Sequence, residues 1–198
     1  HPLPARLERR HALWGLTVVT LDKPLLFSTI CGALSSFGMD IARGLAMTNP
    51  NGLVLDVFQF TDQELFLELN ATGKDRFLTV LGAVISGDTD ITEPLRAREQ
   101  SVLHRRRAGV TPVPPVIHAD NLSSRRYTIL DIVATNALGL LHRVSRVISR
   151  HGCDVDLVLI ATEGQRAIDV FHITRAGAKL TEAAIADLTE DFHRMLEA

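Results

Sequence analysis

The chain has few cysteines and few large polar aromatic residues. Among its 198 residues are two cysteines, one tyrosine and one tryptophan. Cys31 and Cys153 stand in no C-x-x-C or Cys/His spacing of the kind that binds zinc, which favours a reducing compartment, the cytoplasm. We expect both thiols to be buried, because free cysteine is among the residue types most often found in cores.

The sequence also lacks long apolar runs and a strong net charge. No stretch of eighteen apolar residues and no signal-peptide pattern occurs, so no membrane segment or export is expected. The formal net charge of -2 provides no chain-wide positive field for nucleic acid or an anionic membrane. The basic cluster at residues 104–107 is better explained as a solvated loop than as a phosphate-binding site.

What the chain does contain is an internal duplication. The stretch from Leu16 to Asp62 recurs, with an offset of 114 and then 113, from about Leu130 to Arg175. The chain is long enough for two small hydrophobic cores. The expected organisation is an N-terminal extension at 1–12, a first domain at 13–121 with an insertion at 87–112, and a second domain at 122–198.

Each copy begins with a strand and a helix. Apolar runs at 16–21 and 127–133 are rich in β-branched residues and predict the first strands. Asp22 and Asn136 follow as expected helix N-caps, and an apolar stripe at helical spacing comes after each. Gly38 and Gly152 stand just past the stripes, where a C-terminal glycine is expected to end each helix.

A β-hairpin and a second helix complete each copy. The hairpin turns are predicted at 49–52 and 163–165, and the second helices at 74–85 and 180–196, the latter capped by Thr181. A fourth strand at 113–119 is assigned to the first copy, whereas the second copy ends without one. A short extra helix is expected at 93–103 in the insertion.

This β-α-β-β-α-β order predicts an α+β fold of two ferredoxin-like domains, each an antiparallel sheet with helices on one face. Along the third strand Leu53, Leu55 and Val57 point one way, and Val54, Phe58 and Phe60 point the other. The helices can cover only one of these apolar faces. We therefore expect pairing between the domain sheets, with a second subunit in a homo-oligomer, or with another part of the polypeptide.

The segments Asp22-Lys23-Pro24-Leu25-Leu26-Phe27 and Asn136-Ala137-Leu138-Gly139-Leu140-Leu141 resemble the ACT-domain signature between strand one and helix one. Asp-Val-Phe occurs in both third strands, at 56–58 and 169–171. Together with the segments at 113–128 and 160–164, these motifs resemble the C-terminal tandem of bacterial protein-PII uridylyltransferase/uridylyl-removing enzymes. The resemblance extends from about Gly15 to Leu196.

The resemblance implies an amino-acid sensor, with glutamine favoured, that regulates upstream nucleotidyltransferase and phosphohydrolase domains. This chain carries neither domain's motifs, so we expect no catalysis from it, no cofactor and no metal. Its first residue, His1, is consistent with a piece of a longer polypeptide. The alternative is a stand-alone ACT regulator, or the sensor part of another amino-acid-metabolism enzyme, that responds to glycine or serine.

A physical argument places the site at the strand-one to helix-one loop. A helix N-terminus attracts the carboxylate of an amino acid, and the start of strand two could contact its ammonium group. The candidate residues are Asp22, Leu25, Leu26, Asp40 and Ile41 in the first copy, and Asn136, Leu138, Gly139, Leu140, Asp154 and Val155 in the second.

Several of these residues have two explanations. Gly139 allows close approach of a ligand to the backbone, whereas the family's glycine is replaced by Leu25, which either fills the first pocket or borders a working one. Asn136 is either a ligand contact or a helix cap. Asp56 and Asp169 are expected to be structural, satisfied by nearby backbone donors.

Two other classes of protein fit less well. An RNA-recognition domain shares the element order, but its third strand needs a basic and aromatic run, and here aspartate stands among aliphatic residues. An enzyme could use His142, His151, His172 or His193 as a base. No nucleophile is paired with them, and His142 and His151 fall on nearly opposite faces of one helix.

Overall fold

The computed structural model describes residues 4–106 and 112–197, without the side chains of 102–106. The basic cluster at 104–107 therefore lies outside the described side chains. None of the helices in these two ranges combines the length and apolar character needed to cross a membrane.

Eight strands and six helices occur in these ranges. The strands are β1 Ala5–Arg10, β2 Leu13–Leu21, β3 Met39–Thr48, β4 Leu53–Asp62, β5 Val116–Asp120, β6 Thr128–Thr135, β7 Cys153–Glu163 and β8 Arg166–Arg175. The helices are α1 Leu26–Ser36, α2 Phe66–Leu69, α3 Gly73–Ser86, α4 Thr92–Arg106, α5 Leu140–Arg150 and α6 Glu182–Glu197.

All eight strands form one antiparallel sheet in the order β1-β2-β4-β3-β7-β8-β6-β5. Each half is a four-stranded ferredoxin-like unit, which confirms the predicted α+β fold. The halves join where β3 pairs with β7, between Arg43↔Ala161 and Met47↔Leu157. The domain sheets therefore pair, but edge to edge, whereas the prediction had a partner covering the apolar face.

The edge strands differ from the prediction. The strand expected at 113–119 as the fourth of the first copy is β5, and it pairs with β6 of the second copy. The outer strand of the first half is β1, which pairs with β2 and lies in the segment taken as an extension. The second copy therefore does not lack its fourth strand. Residues 121–127 join β5 to β6 by a short connection, and a local hairpin of this kind has a low loop-closure entropy cost.

The expected caps Asp22 and Asn136 are also wrong. The helices begin later, at Leu26 and Leu140, each after a residue in the left-handed region, Leu25 at φ 64° and Gly139 at φ 79°. The backbone N–H groups of Asp22 and Asn136 instead each donate to a backbone oxygen in a hairpin turn, at a distance of 2.7 Å. In contrast, Thr181 accepts from the N–H of Ala184 at 3.2 Å, as a cap does.

The core lies between one face of the sheet and the helices. The predicted periodicities hold, since Ile30 and Phe58 in the first half and Val144 and Phe171 in the second are fully buried. Both cysteines are buried and unpaired, as expected.

Helices α1 and α5 cross at equivalent residues of the two copies, Ser28 and His142. The Nδ1 of His142 lies 2.8 Å from the backbone oxygen of Ser28, and the Ser28 hydroxyl donates to the backbone oxygen of His142 at 3.2 Å. Burial lowers the pKa of His142. This crossing and the β3–β7 pairing hold the two halves together.

The opposite face of the sheet remains uncovered in the single chain. Leu55 is 37% exposed, Met47 41% and Leu159 46%. Edge-to-edge pairing extends this apolar face across both halves and does not bury it.

Candidate functional site

Two equivalent pockets lie where the copies meet. We call first pocket the cavity between the β2–α1 loop at 22–28 and the start of β7 at Asp154–Val155, and second pocket the cavity between the β6–α5 loop at 136–141 and the start of β3 at Asp40–Ile41. Each pocket combines the loop of one copy with the strand of the other.

The structure thus brings the candidate residues together in a crossed arrangement. Sequence reasoning placed each loop beside the strand start of its own copy. The β3–β7 pairing instead sets the start of each strand against the end of the other, and Thr162 donates to the backbone oxygen of Ile41 at 3.2 Å. Asp22, Leu25 and Leu26 therefore face Asp154 and Val155, while Asn136, Leu138, Gly139 and Leu140 face Asp40 and Ile41.

The two pockets differ in size. The first encloses about 430 Å³ and the second about 20 Å³. A small-molecule site occupies on the order of 300 Å³ or more, so of the two pockets the first has the size of such a site.

A polar contact between the copies helps to explain this difference. The amide of Asn136 donates to the carboxylate of Asp40 at 3.2 Å across the second pocket. The equivalent residues of the first pocket, Asp22 and Asp154, are both acids and repel each other. Burial raises the pKa of Asp22, and the charge of Asp154 raises it further.

Helix α4 packs against the β6–α5 loop beside the second pocket. The Glu99 carboxylate lies directly over Gly139, where a β-carbon would collide with it, and its Oε1 is 3.2 Å from the guanidinium of Arg143. A carboxylate therefore already lies at the helix N-terminus where the carboxylate of an amino acid would bind.

A buried aspartate lines each pocket. Asp56 in the first and Asp169 in the second are each 1% exposed, and burial is the main cause that raises the pKa of each to about 7. Asp56 Oδ2 and Asp169 Oδ1 have no hydrogen-bond partner among the residues described. The expectation that nearby backbone donors satisfy these carboxyls fails for one oxygen of each.

Leu25 does not fill the first pocket. It is 46% exposed at the rim and holds the left-handed conformation that Gly139 adopts in the second copy.

We expect Leu25→Gly to raise the free energy of unfolding by up to about 1 kcal/mol. The substitution removes left-handed strain of about 1–2 kcal/mol, and the greater freedom of glycine in the unfolded chain offsets part of this gain. Urea denaturation measures the change. Leu69→Gly, in helix α2, should instead lower stability by about 1 kcal/mol, and a loss in both variants would contradict the strain at Leu25.

Three of the candidate histidines have separate partners in the described structure. His142 contacts Ser28, His151 lies 2.9 Å from Asp191, and His172 packs against Tyr127. Among the side chains that the structure describes, no three from His, Cys, Asp or Glu group as metal ligands.

Sequence reasoning missed several residues of the pockets. Ser145 and Ser149 of α5 line the first pocket, and Ser35, equivalent to Ser149, lines the second. The repeat offset of 114 relates Ser35 to Ser149, so the duplication could have identified these two residues. Glu99 stands in a helix of the insertion, which has no counterpart in the second copy.

The chain is similar to part of several curated bacterial proteins. It is 31% identical over 196 residues to the bifunctional uridylyltransferase/uridylyl-removing enzyme of Azospirillum brasilense, covering 98% of this chain and 20% of that protein. The enzyme of the same name from Gluconobacter oxydans is 33% identical over 186 residues, 92% of this chain and 19% of the relative.

The chain thus spans about a fifth of the length of these relatives. No protein-family model matches it. Among solved structures, aspartate kinase from Synechocystis aligns with a TM-score of 0.45 and 10% identity, over 84% of this chain and 24% of that protein.

Proposed function

From the similarity of this chain to about a fifth of the bifunctional uridylyltransferase/uridylyl-removing enzymes, we propose that it is the amino-acid-sensing ACT tandem of such an enzyme. In this proposal the chain is not catalytic, acts in the cytoplasm, and binds glutamine in its first pocket. The upstream uridylyltransferase and uridylyl-removing domains respond to that binding.

The observation that carries this proposal is the open cavity between the copies. Its loop leads into the N-terminus of α1, which favours the carboxylate of an amino acid. Lys23 adds a positive charge on that side, and Asp154 adds a negative charge on the opposite side for the ammonium group. A zwitterion thus finds complementary charges at both ends.

The cavity volume favours glutamine over the smaller alternatives. Glycine or serine would leave much of about 430 Å³ unfilled, and their affinity would lack the contacts of a longer side chain. A neutral amide also avoids the repulsion that a second carboxylate would meet near Asp22 and Asp154.

Regulation would follow from the crossed geometry of the site. A ligand that touches the loop of one copy and the strand of the other stabilises one arrangement of the two halves, and shifts the equilibrium by its differential affinity. The uncovered face of the sheet is then a surface through which a second subunit or the upstream domains sense the change.

We expect L-glutamine to raise the melting temperature of the chain in proportion to the logarithm of its concentration, because it binds only the folded state. A thermal-shift panel of the twenty amino acids measures this directly. A larger shift with glycine or serine would favour the alternative sensor, and no shift with any amino acid would contradict the proposal.

A matched pair of variants locates the binding site. Asp154→Ala alters the first pocket and should reduce the glutamine-induced shift, whereas Asp40→Ala alters the equivalent residue of the second pocket and should leave it. The reverse result would assign binding to the second pocket.

A further inference from the structure

We propose that Asp56 is the buried ammonium-binding residue of the first pocket and that it releases its proton to solvent when a ligand's ammonium group binds. This inference rests on the proposed function and adds a regulation to it. The sensor would then respond to pH as well as to its amino acid.

The geometry of the pocket carries this inference. Asp56 lies in the middle of β4 on the helix-facing side, lines the cavity, and is 1% exposed. Its Oδ2 accepts no hydrogen bond from any described residue. A buried acceptor without a partner destabilises the folded state, and a donor from the ligand would remove that cost.

The surrounding charges favour a cation at this position. Asp22 from the β2–α1 loop and Asp154 from β7 line the same cavity, with Lys23 as the single cation among the pocket residues. From α1, Cys31 faces Asp56, and burial raises the pKa of that thiol well above 9.0. Helix α5 contributes two serines, Ser145 and Ser149, to the lining of the first pocket.

Below neutral pH the expected state of Asp56 in the ligand-free pocket is uncharged. Burial, with a smaller contribution from the charge of Asp22, raises the pKa of Asp56 to about 7. An ammonium group in contact with the carboxylate favours its charged form and lowers the pKa again. Binding at pH 6 must therefore release a proton from the carboxyl oxygen, and binding at pH 8 finds most of the carboxylate already charged.

The experiment is calorimetric titration of the chain with L-glutamine at pH 6, 7 and 8, in two buffers of different ionisation enthalpy. We expect release of close to one proton at pH 6 and almost none at pH 8, with affinity about tenfold weaker at pH 6. Asp56→Asn should bind glutamine at least tenfold more weakly at pH 8, and should lose most of the pH dependence. Its far-ultraviolet circular dichroism and melting curve establish that it is folded.

Asp169→Asn is the matched control. It removes an equally buried aspartate from the second pocket, which lacks room for a ligand, and should keep both the wild-type affinity and the proton release. Glutaramate, which is glutamine without its α-ammonium group, should show weak binding that Asp56→Asn does not change.

The outcomes separate this inference from the proposed function. Wild-type protein that binds glutamine without proton release, or a folded Asp56→Asn variant with unchanged affinity, would overturn the role of Asp56 and leave glutamine sensing intact. Loss of the pH dependence in Asp169→Asn would overturn it as well. Absence of glutamine binding at every pH would overturn both proposals.

Discussion

Replacing Asp169 with asparagine should raise the free energy of unfolding by about 3 kcal/mol at pH 8 and by much less at pH 5. Burial raises the pKa of Asp169 from its ordinary value of 3.8 to about 7. Above pH 7 the folded protein therefore carries a buried charge, and Asp169 Oδ1 has no partner among the described residues.

The direction of the pH dependence follows from proton binding. Because the pKa is higher in the folded state, folding takes up a proton between about pH 4 and pH 7, and stability falls as pH rises through that window. Three pKa units correspond to about 4 kcal/mol, and the buried amide of asparagine offsets about 1 kcal/mol of this gain.

Urea denaturation at pH 5 and pH 8 compares the variant with wild type. Asp187→Asn, on the exposed side of α6, is the control and should change stability by less than about 0.5 kcal/mol at either pH. If Asp169→Asn is less stable than wild type at pH 8, the carboxylate has a stabilising partner and the argument fails.

The duplication and the hydrophobic periodicities were sufficient to predict the β-α-β-β-α part of each half, without its edge strand. Apolar positions in α1 and in β4 repeat at helical and strand spacing, and Ile30 and Phe58 are buried as those spacings require. Such patterns arise because one face of a helix or strand meets the core, and this periodicity can be recognised within a short stretch of sequence.

The pairing of the halves could not be predicted in the same way. A strand such as β5 can pair with the edge of the preceding sheet or with the edge of the following one. A five-residue strand contains too little sequence information to show which edge it prefers. The crossed pockets follow from the β3–β7 contact, so Asp22 and Asp154 could be named as candidates but not placed opposite each other.

The sequence also did not predict which of the two pockets is the closed one. Gly139 was the glycine expected of a working loop, yet its pocket is the closed one, and Glu99 from a helix distant in the chain lies over that loop. A loop residue reports on its own backbone conformation. It carries no information on what another element places above it.

We expect Gly139→Ala to lower the free energy of unfolding by about 2 kcal/mol or more. An alanine at φ 79° costs about 1–2 kcal/mol of left-handed strain. Its β-carbon would also collide with the Glu99 carboxylate, which must move and weaken its contact with Arg143. Urea denaturation measures the loss.

Gly164→Ala separates these two causes. Gly164 has φ 60° in the β7–β8 turn, and apart from its chain neighbours no described atom lies within 4 Å of the position that an alanine β-carbon would take. The variant therefore experiences strain alone and should lose about 1 kcal/mol. In a Glu99→Ala background the excess cost of Gly139→Ala should disappear, because distant sites add and contacting ones do not. An excess that persists without Glu99 would mean that contact with the Glu99 carboxylate is not the cause of the additional cost at position 139.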